Sequence, residues 1–179
     1  LSIRKVKDGL GQAYIHGFRW ALQNNFDYIF EMDADFSHNP KDLIKLYEAC
    51  KAADMAVGSR YSQGVNVVNW PMGRVLLSYF ASKYVRLVLG IPVHDTTAGF
   101  VCFKKETLIS IGLDKIRLKG YGFQVEMKYR VFKKNLKIVE VPIIFTDRTE
   151  GVSKMNGGII QEAIFGVLNL KWKNLIGKL

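Results

Sequence analysis

The sequence predicts an α/β layered domain with a mainly parallel sheet, and three observations lead there. Segments with apolar residues at helical spacing alternate along the chain with short apolar runs of strand length, the order that packs helices against a parallel sheet. The 179 residues suit one compact domain, 1–179, with a proper hydrophobic core, and no internal repeat or Pro/Gly-rich linker divides them. At 49% hydrophobic and 23% charged, the composition excludes a disordered tail, a coiled coil and a collagen-like fibre.

Each element can be justified in turn. Leu10, Tyr14, Phe18, Ala21 and Leu22 recur at helical spacing behind Asp8, a residue suited to the N-cap, and the pattern stops at Asn24-Asn25. Tyr28-Ile29-Phe30-Glu31-Met32 reads as a strand running into Asp33-Ala34-Asp35. Asn39-Pro40 then supplies the cap and first-turn residue of a helix to about Lys51. Met55 to Gly58 is a second buried strand, Met72 to Leu89 a helix, Val101-Cys102-Phe103 a strand and Phe123 to Lys134 an amphipathic helix. Leu136 to Phe145 alternates as a strand, and Pro142, which has no N–H to donate, marks an edge or a bulge. The last helix carries Ile160, Ile164, Leu168 and Trp172 on one face. That face either packs on the sheet or, with the lysine-, Trp- and Leu-containing stretch 171–179, forms a membrane-interface extension.

Charge narrows the partners. Lys plus Arg exceed Asp plus Glu by 26 − 16 = 10, a surplus that favours an anionic partner such as a nucleic acid, an acidic membrane surface or a phosphorylated small molecule. Neither an RNA-recognition nor a helix-turn-helix pattern is visible, so a basic nucleic-acid-binding domain is the weaker reading. Cys50 and Cys102 are isolated and His16, His38 and His94 are scattered, which excludes a zinc spacing and fits a reducing compartment. The most apolar long stretch, Val75 to Val93, is interrupted by Lys83 and Arg86 and is not expected to cross a bilayer.

Ligands of α/β sheets bind beyond the C-terminal strand ends, which directs attention to Asp33 and Asp35. Two carboxylates two residues apart there can share a hard cation, Mg2+ or Mn2+, whose remaining ligands are phosphate oxygens. The same Asp-x-Asp also reads as a loop capping the next helix, and Glu31, on the same side by period two, as a solvated strand residue. Arg60 follows a buried strand directly and should project from the same sheet edge, where a guanidinium can grip a phosphate with two hydrogen bonds. Arg74 and Ser78, four residues apart in a helix, can present a cation and a hydroxyl to one phosphate. His38 and His94 read as hydrogen-bonding or surface residues rather than bases.

Several segments occur together in a set order: Gly9-Leu10-Gly11-Gln12-Ala13-Tyr14, Glu31 to His38, Gly58-Ser59-Arg60-Tyr61, Val68-Asn69-Trp70-Pro71 and Arg74 to Ser78. They continue with Asp95-Thr96-Thr97-Ala98-Gly99-Phe100, Gly120 to Glu126, and Glu140-Val141-Pro142-Ile143 through Ser153-Lys154-Met155. In this combination the chain resembles, over essentially its whole length, the polyprenol-phosphate (dolichol-phosphate) mannosyltransferases of the family 2, GT-A-fold glycosyltransferases.

The resemblance implies inverting transfer of mannose from GDP-mannose to a polyprenyl or dolichyl phosphate, with Mg2+ or Mn2+ at Asp33 and Asp35. It assigns Arg60, Arg74 and Ser78 to the acceptor phosphate and places Arg148 and Lys154, around the Gly151-Val152-Ser153 turn, in a loop closing over the phosphates. Asp35, Arg60 and Arg148 are thereby the expected catalytic residues. Asp95, Gln124 and Glu126 become pocket positions that hold sugar hydroxyls or loop geometry. The position of Ser37 is Gln in some relatives, which leaves its role beside the metal open. Polyprenyl-phosphate glucosyl transfer from UDP-glucose, or another family 2 activity, is the near alternative. Members carry a first strand and nucleotide-holding loops before the segment with which this chain opens. The chain is therefore expected to correspond to roughly the C-terminal three quarters of such a domain, peripheral on the cytosolic face of a membrane, with an anchoring partner or anchor segment elsewhere.

Overall fold

The computed structural model describes residues 9–118, 120–147 and 157–179, with side chains described for all of these except 157–160 and 162. Asp8, Arg148, Lys154 and the turn between the last two lie outside the described residues, as does the side chain of Ile160.

Helix α1 (Leu10–Gln23) is preceded at the N-cap by Gly9 and feeds β1 (Tyr28–Glu31). Helix α2 (Asp42–Lys51) has Lys41 at its N-cap with no side-chain capping bond; Asn39, expected as the cap, lies in the turn before it, its Oδ1 accepting the Lys41 N–H at 3.0 Å. Then follow β2 (Met55–Ser59), a short β3 (Val67–Val68), α3 (Met72–Leu89), β4 (Val101–Lys104), α4 (Lys105–Ile111) and a single 3-10 turn. The chain closes with α5 (Gly120–Lys133), β5 (Ile138–Pro142), β6 (Phe145–Thr146) and α6 (Gly157–Leu175). The stretch expected as one strand from Leu136 to Phe145 is divided: Pro142 ends β5, and β6 pairs with β3 instead of with the main sheet. Residues Lys105 to Ile111 were given no element by their sequence pattern and form α4.

The main sheet has the order β1-β4-β2-β5. Strands β1, β2 and β5 point the same way, the mainly parallel arrangement expected, while β4 runs opposite between β1 and β2. Pro142 sits at the end of the edge strand β5, where its missing N–H breaks no second ladder. Alternate residues of the sheet divide between two cores. Ile29, Met55, Val57, Val101 and Phe103 pack against Ile15 and Phe18 of α1 and Phe123, Met127 and Val131 of α5. Ala56, Phe100, Cys102 and Ile143 pack on the other face against Leu46 and Cys50 of α2. A third core joins α3, α5 and α6 through Val85, Leu89, Val125, Tyr129, Val167 and Leu170. The common C-terminal edge of β1, β2 and β5 therefore faces α3 and α6, and it is there that Asp33, Asp35 and Arg60 emerge.

Close packing of α1 on α5 turns on Gly11, where a Cβ would fall 2.8 Å from Phe123 Cδ2 and 3.1 Å from its Cγ. The fully buried Phe123 ring cannot swing away. Gly11→Ala is expected to lower stability, since overpacking costs about 1–3 kcal/mol against about 1 kcal/mol of helix propensity gained. Gly17→Ala, on the same helix with nothing within 4 Å of the added carbon, should instead be neutral or stabilising. Urea unfolding of the pair checks this; equal midpoints would refute the contact.

Candidate active site

A cavity of about 400 Å3 opens at this sheet edge, and Asp33, Asp35, Arg60, Arg74, Ser78 and Gln124 all line it. The strand end, the loop after β2, the first turns of α3 and the first turn of α5 thus converge although they lie far apart in sequence.

The acidic pair is held from two sides. Tyr14, one turn into α1, donates its hydroxyl to Asp33 Oδ1 at 3.1 Å. Burial, and then the charge of Asp33, pushes the Tyr14 hydroxyl above the usual phenol range, so it stays a donor. Asp35 Oδ1 accepts the Ser37 hydroxyl at 2.5 Å and the Ser37 N–H at 3.1 Å. This turn requires Phe36 at φ 62, a left-handed conformation unusual for a bulky residue, and leaves its ring 95% exposed. Ser37 is thus a support of Asp35. The donor set suits a hard divalent cation: two carboxylates from the protein on one cavity wall, with the remaining positions left to phosphate oxygens and water. Among the described residues no third His, Cys, Asp or Glu joins them in a metal-binding group.

The arginines arrive already partnered. Arg60 donates from its backbone N (2.9 Å) and Nε (2.7 Å) to Asp95 Oδ2, and from Nη2 to Asp95 Oδ1 (2.7 Å) and Thr97 Oγ1 (3.0 Å). Its guanidinium carbon lies 5.3 Å from the ring centres of Tyr61 and Trp70 and 5.7 Å from that of Phe145. Burial alone would raise the Asp95 carboxyl, but the charge and hydrogen bonds of Arg60 outweigh it and hold it below the usual carboxylate range. Arg74 donates from Nη1 to Asp147 Oδ1 at 2.7 Å and stacks 4.1 Å from the Trp70 ring centre. Ser78 follows one turn later on α3, as its spacing required.

Two expected pocket positions do not reach the cavity. Asp95 is fully enclosed and meets the cavity through Arg60. Glu126 turns away from it: the backbone N–H groups of Arg117 (2.9 Å) and Leu118 (2.8 Å) and the Arg130 guanidinium all donate to its carboxylate. In the structure both hold geometry, the second of the two uses the sequence left open to them, rather than lining the space for a sugar. Residues two apart on a helix point to different sides, so Gln124 and Glu126 could not both line the cavity; only the packing of α5 decides which of them does.

Behind the wall lies a buried charged group that the sequence did not single out. Lys128 of α5, fully enclosed, donates to Ala98 O at 2.7 Å and lies 3.4 Å from the backbone O and Oε1 of Gln124. Glu31 is enclosed beside it with neither carboxylate oxygen hydrogen-bonded, and Gln124 Nε2 lies toward it outside hydrogen-bond geometry. Burial pushes Glu31 up and Lys128 down from their ordinary values, each against the attraction of the other. The reading of Glu31 as solvated is corrected: it lies on the sheet face shared with Ile29, which α1 and α5 cover, and Gln124 and Lys128 of α5 meet it there. His38 lines the cavity between the Phe100 and Phe145 rings, at 4.9 and 5.0 Å, and burial lowers its pKa so that it is neutral near pH 7. Asp147 was missed; its one sequence signal is its place just past a strand end, like that of Asp33.

Thr97 and Asp147 also line the cavity, and toward α3 and α6 its wall turns apolar, with Leu77, Phe80 and Tyr84 of α3 facing Ile164 and Val167 of α6. Met72, Leu76 and Leu87 of α3 and Phe165, Leu168, Trp172 and Leu175 of α6 are exposed outside it, and the lining Phe80 and Ile164 are exposed as well. Ile164 (41%), Leu168 (47%) and Trp172 (61%) thus form an outward stripe, whereas Val167 and Leu170 make the packing contacts; packing of that stripe on the sheet is not observed. Among the described residues no helix is long and apolar enough to cross a membrane.

The model of the family described as "Glycosyl transferase family 2" matches residues 2–112. The chain is 47% identical to an undecaprenyl-phosphate mannosyltransferase of Micrococcus luteus, over 98% of this chain and 74% of that protein. It is also 47% identical to a polyprenol monophosphomannose synthase of Mycolicibacterium smegmatis, over 92% of this chain and 62% of that one. A dolichol-phosphate mannosyltransferase of Pyrococcus furiosus is 37% identical over 99% of this chain, which spans 49% of its length. Among solved structures, glucosyl-3-phosphoglycerate synthase of Mycobacterium tuberculosis superposes with a TM-score of 0.64 over 93% of this chain and 56% of that one, at 17% identity, in a complex containing Mn2+ and uridine diphosphate. At that identity the likeness speaks for the fold, which is of the GT-A type. With a family model over more than half of its residues and relatives at 47% identity over nearly all of them, the chain belongs to glycosyl transferase family 2 and is a glycosyltransferase.

Proposed function

We propose that this protein transfers a mannosyl residue from GDP-mannose to a polyprenyl phosphate, with inversion, using Mg2+ or Mn2+. One observation carries the reading: an acidic pair and a partnered arginine with a hydroxyl share a single cavity whose wall toward α3 and α6 is apolar and continues onto an exposed apolar face of those two helices. Charge is supplied where two phosphates meet and hydrocarbon surface where a lipid tail leaves. The names of the three polyprenol-type relatives support the same acceptor and sugar.

Asp33 and Asp35 hold the cation, which when bound supplies positive charge to the departing diphosphate. Arg74 and Ser78 bind the acceptor phosphate, Arg60 borders it, and Gln124 meets the sugar. The acceptor phosphate is already anionic near neutral pH and attacks the anomeric carbon opposite the leaving group without a strong general base. A neutral His38 between two aromatic rings fits that chemistry. The deciding experiment supplies the full-length protein with GDP-mannose or UDP-glucose, a short polyprenyl phosphate, and Mg2+ or Mn2+. Mannosyl-lipid formation is expected to dominate, with the product anomer inverted; preference for UDP-glucose would overturn the donor.

The exposed stripe predicts docking to a membrane surface on its cytosolic side. Trp172, Leu175 and Ile176 can enter the headgroup region while lysines such as Lys171, Lys173 and Lys178 near the chain end meet anionic lipid, about 1 kcal/mol each. Flotation with vesicles containing anionic lipid should show salt-sensitive binding that weakens when residues 171–179 are deleted, with the melting temperature retained. Equal binding after the deletion would remove this segment from acceptor delivery.

A further inference from the structure

Arg60 stands at the end of a chain of carboxylate contacts that begins on the edge strand β5. Glu140, paired in register with Val57, directs its carboxylate to the turn that precedes β4. Its Oε2 accepts the His94 N–H at 2.8 Å and contacts His94 Nδ1 at 2.7 Å, and its Oε1 accepts the Asp95 N–H at 3.0 Å. An ionised carboxylate only accepts, and two consecutive backbone N–H groups give each of its oxygens a donor. Asp95 then accepts three hydrogen bonds from Arg60, at the backbone N, Nε and Nη2. The arrangement places two carboxylates, Glu140 and Asp95, on adjoining groups, a juxtaposition that repels unless each negative charge is matched by donors on its own side.

That cost has no counterpart in packing. Ile138, Val139 and Val141 of β5 already furnish its contacts with the cores, and Glu140 itself touches the cavity nowhere. What Glu140 fixes is the orientation of the His94–Asp95 peptide. The Asp95 carboxylate plane follows from that peptide, and the guanidinium plane of Arg60 follows from the Asp95 carboxylate, because a two-point fork leaves little rotation. Thr97, on the same loop, accepts the Arg60 Nη2 on its other side at 3.0 Å. We propose that Glu140 is a positioning residue for the transfer reaction, acting through Asp95 to aim Arg60 at the acceptor phosphate. The identity of the group Arg60 meets rests on the function proposed above; the positioning itself rests on the contacts.

A double-mutant cycle on the full-length protein tests it with Glu140→Gln, Arg60→Lys and the double variant, measuring kcat and the KM of polyprenyl phosphate and of GDP-mannose separately. Glu140→Gln keeps the shape of the side chain but sets an amide N–H against a backbone N–H. A loss of about tenfold or more in kcat/KM for the acceptor is expected, the scale of one hydrogen bond to a charged group. The double variant should be no worse than Arg60→Lys alone, because Glu140 has nothing left to aim. Losses that multiply would overturn the proposal, as would an unchanged Glu140→Gln enzyme. If the coupling appears in the KM of GDP-mannose instead, positioning stands and the assignment of Arg60 to the acceptor fails. Should Glu140→Gln not fold, as read by its melting curve, Glu140→Asp, which keeps the charge and withdraws it by one methylene, completes the same cycle with the same deciding outcomes.

Discussion

Asp35→Ala is expected to abolish transfer, with a loss of at least about 10²–10³-fold, the scale on which removal of one charge-stabilising group acts. Both carboxylates line the cavity, and each is fixed by a partner of its own, Tyr14 for Asp33 and Ser37 for Asp35. A lone carboxylate cannot replace the pair, because Mg2+ and Mn2+ are held through few protein oxygens and the phosphates complete the shell. Asp33→Ala should be nearly as severe. The fold should survive, since both carboxylates are only half-buried at the cavity wall. Mn2+ titration of the protein with GDP present, followed by its paramagnetic signal, gives a readout apart from turnover: affinity should fall in both variants. Activity within a few-fold of wild type in both would end the metal-site assignment.

Arg74→Lys is expected to cost about 10–10²-fold in kcat/KM for the acceptor, much more than a surface position would. Lysine keeps the charge and loses both features the structure shows, the guanidinium hydrogen bond to Asp147 at 2.7 Å and the guanidinium carbon held 4.1 Å over the Trp70 ring centre. The planar fork pinned on one side by Asp147 presents its other nitrogens in a fixed plane, whereas an ammonium on a flexible stem has no plane to present. The effect should fall on the KM of polyprenyl phosphate. Weakened GDP-mannose binding with the acceptor KM unchanged would transfer Arg74 to the donor side of the site.

The candidate site was legible to different depths at different residues. Asp33 and Asp35 could be found because a strand end followed by an acidic pair is a local pattern, and Ser78 because it stands four residues from Arg74 on one helix. Their partners could not. Arg60 meets Asp95 across 35 positions and Arg74 meets Asp147 across 73, so no window of periodicity contains both members. Glu126 and Gln124 show the same limit at close range: one turn of helix holds both, yet Gln124 lines the cavity while Glu126 caps the backbone of residues 117 and 118.

By itself the sequence determined most of the helices and strands, though not β3, α4 or the division of β5 from β6, because helical spacing and turn signals act over a few neighbouring residues. It also carried the family resemblance, whose motifs are contiguous. Tertiary structure alone decided the direction of β4, since the three-residue apolar run Val101-Cys102-Phe103, buried on both faces, reads the same in either sense. It decided that Glu31 and Lys128 face each other away from water, and that Val167 and Leu170 rather than Ile164, Leu168 and Trp172 anchor α6. The physical reason is common to all three: an apolar or charged side chain specifies only that it needs a partner, and which partner it meets is set by the packing of segments distant along the chain.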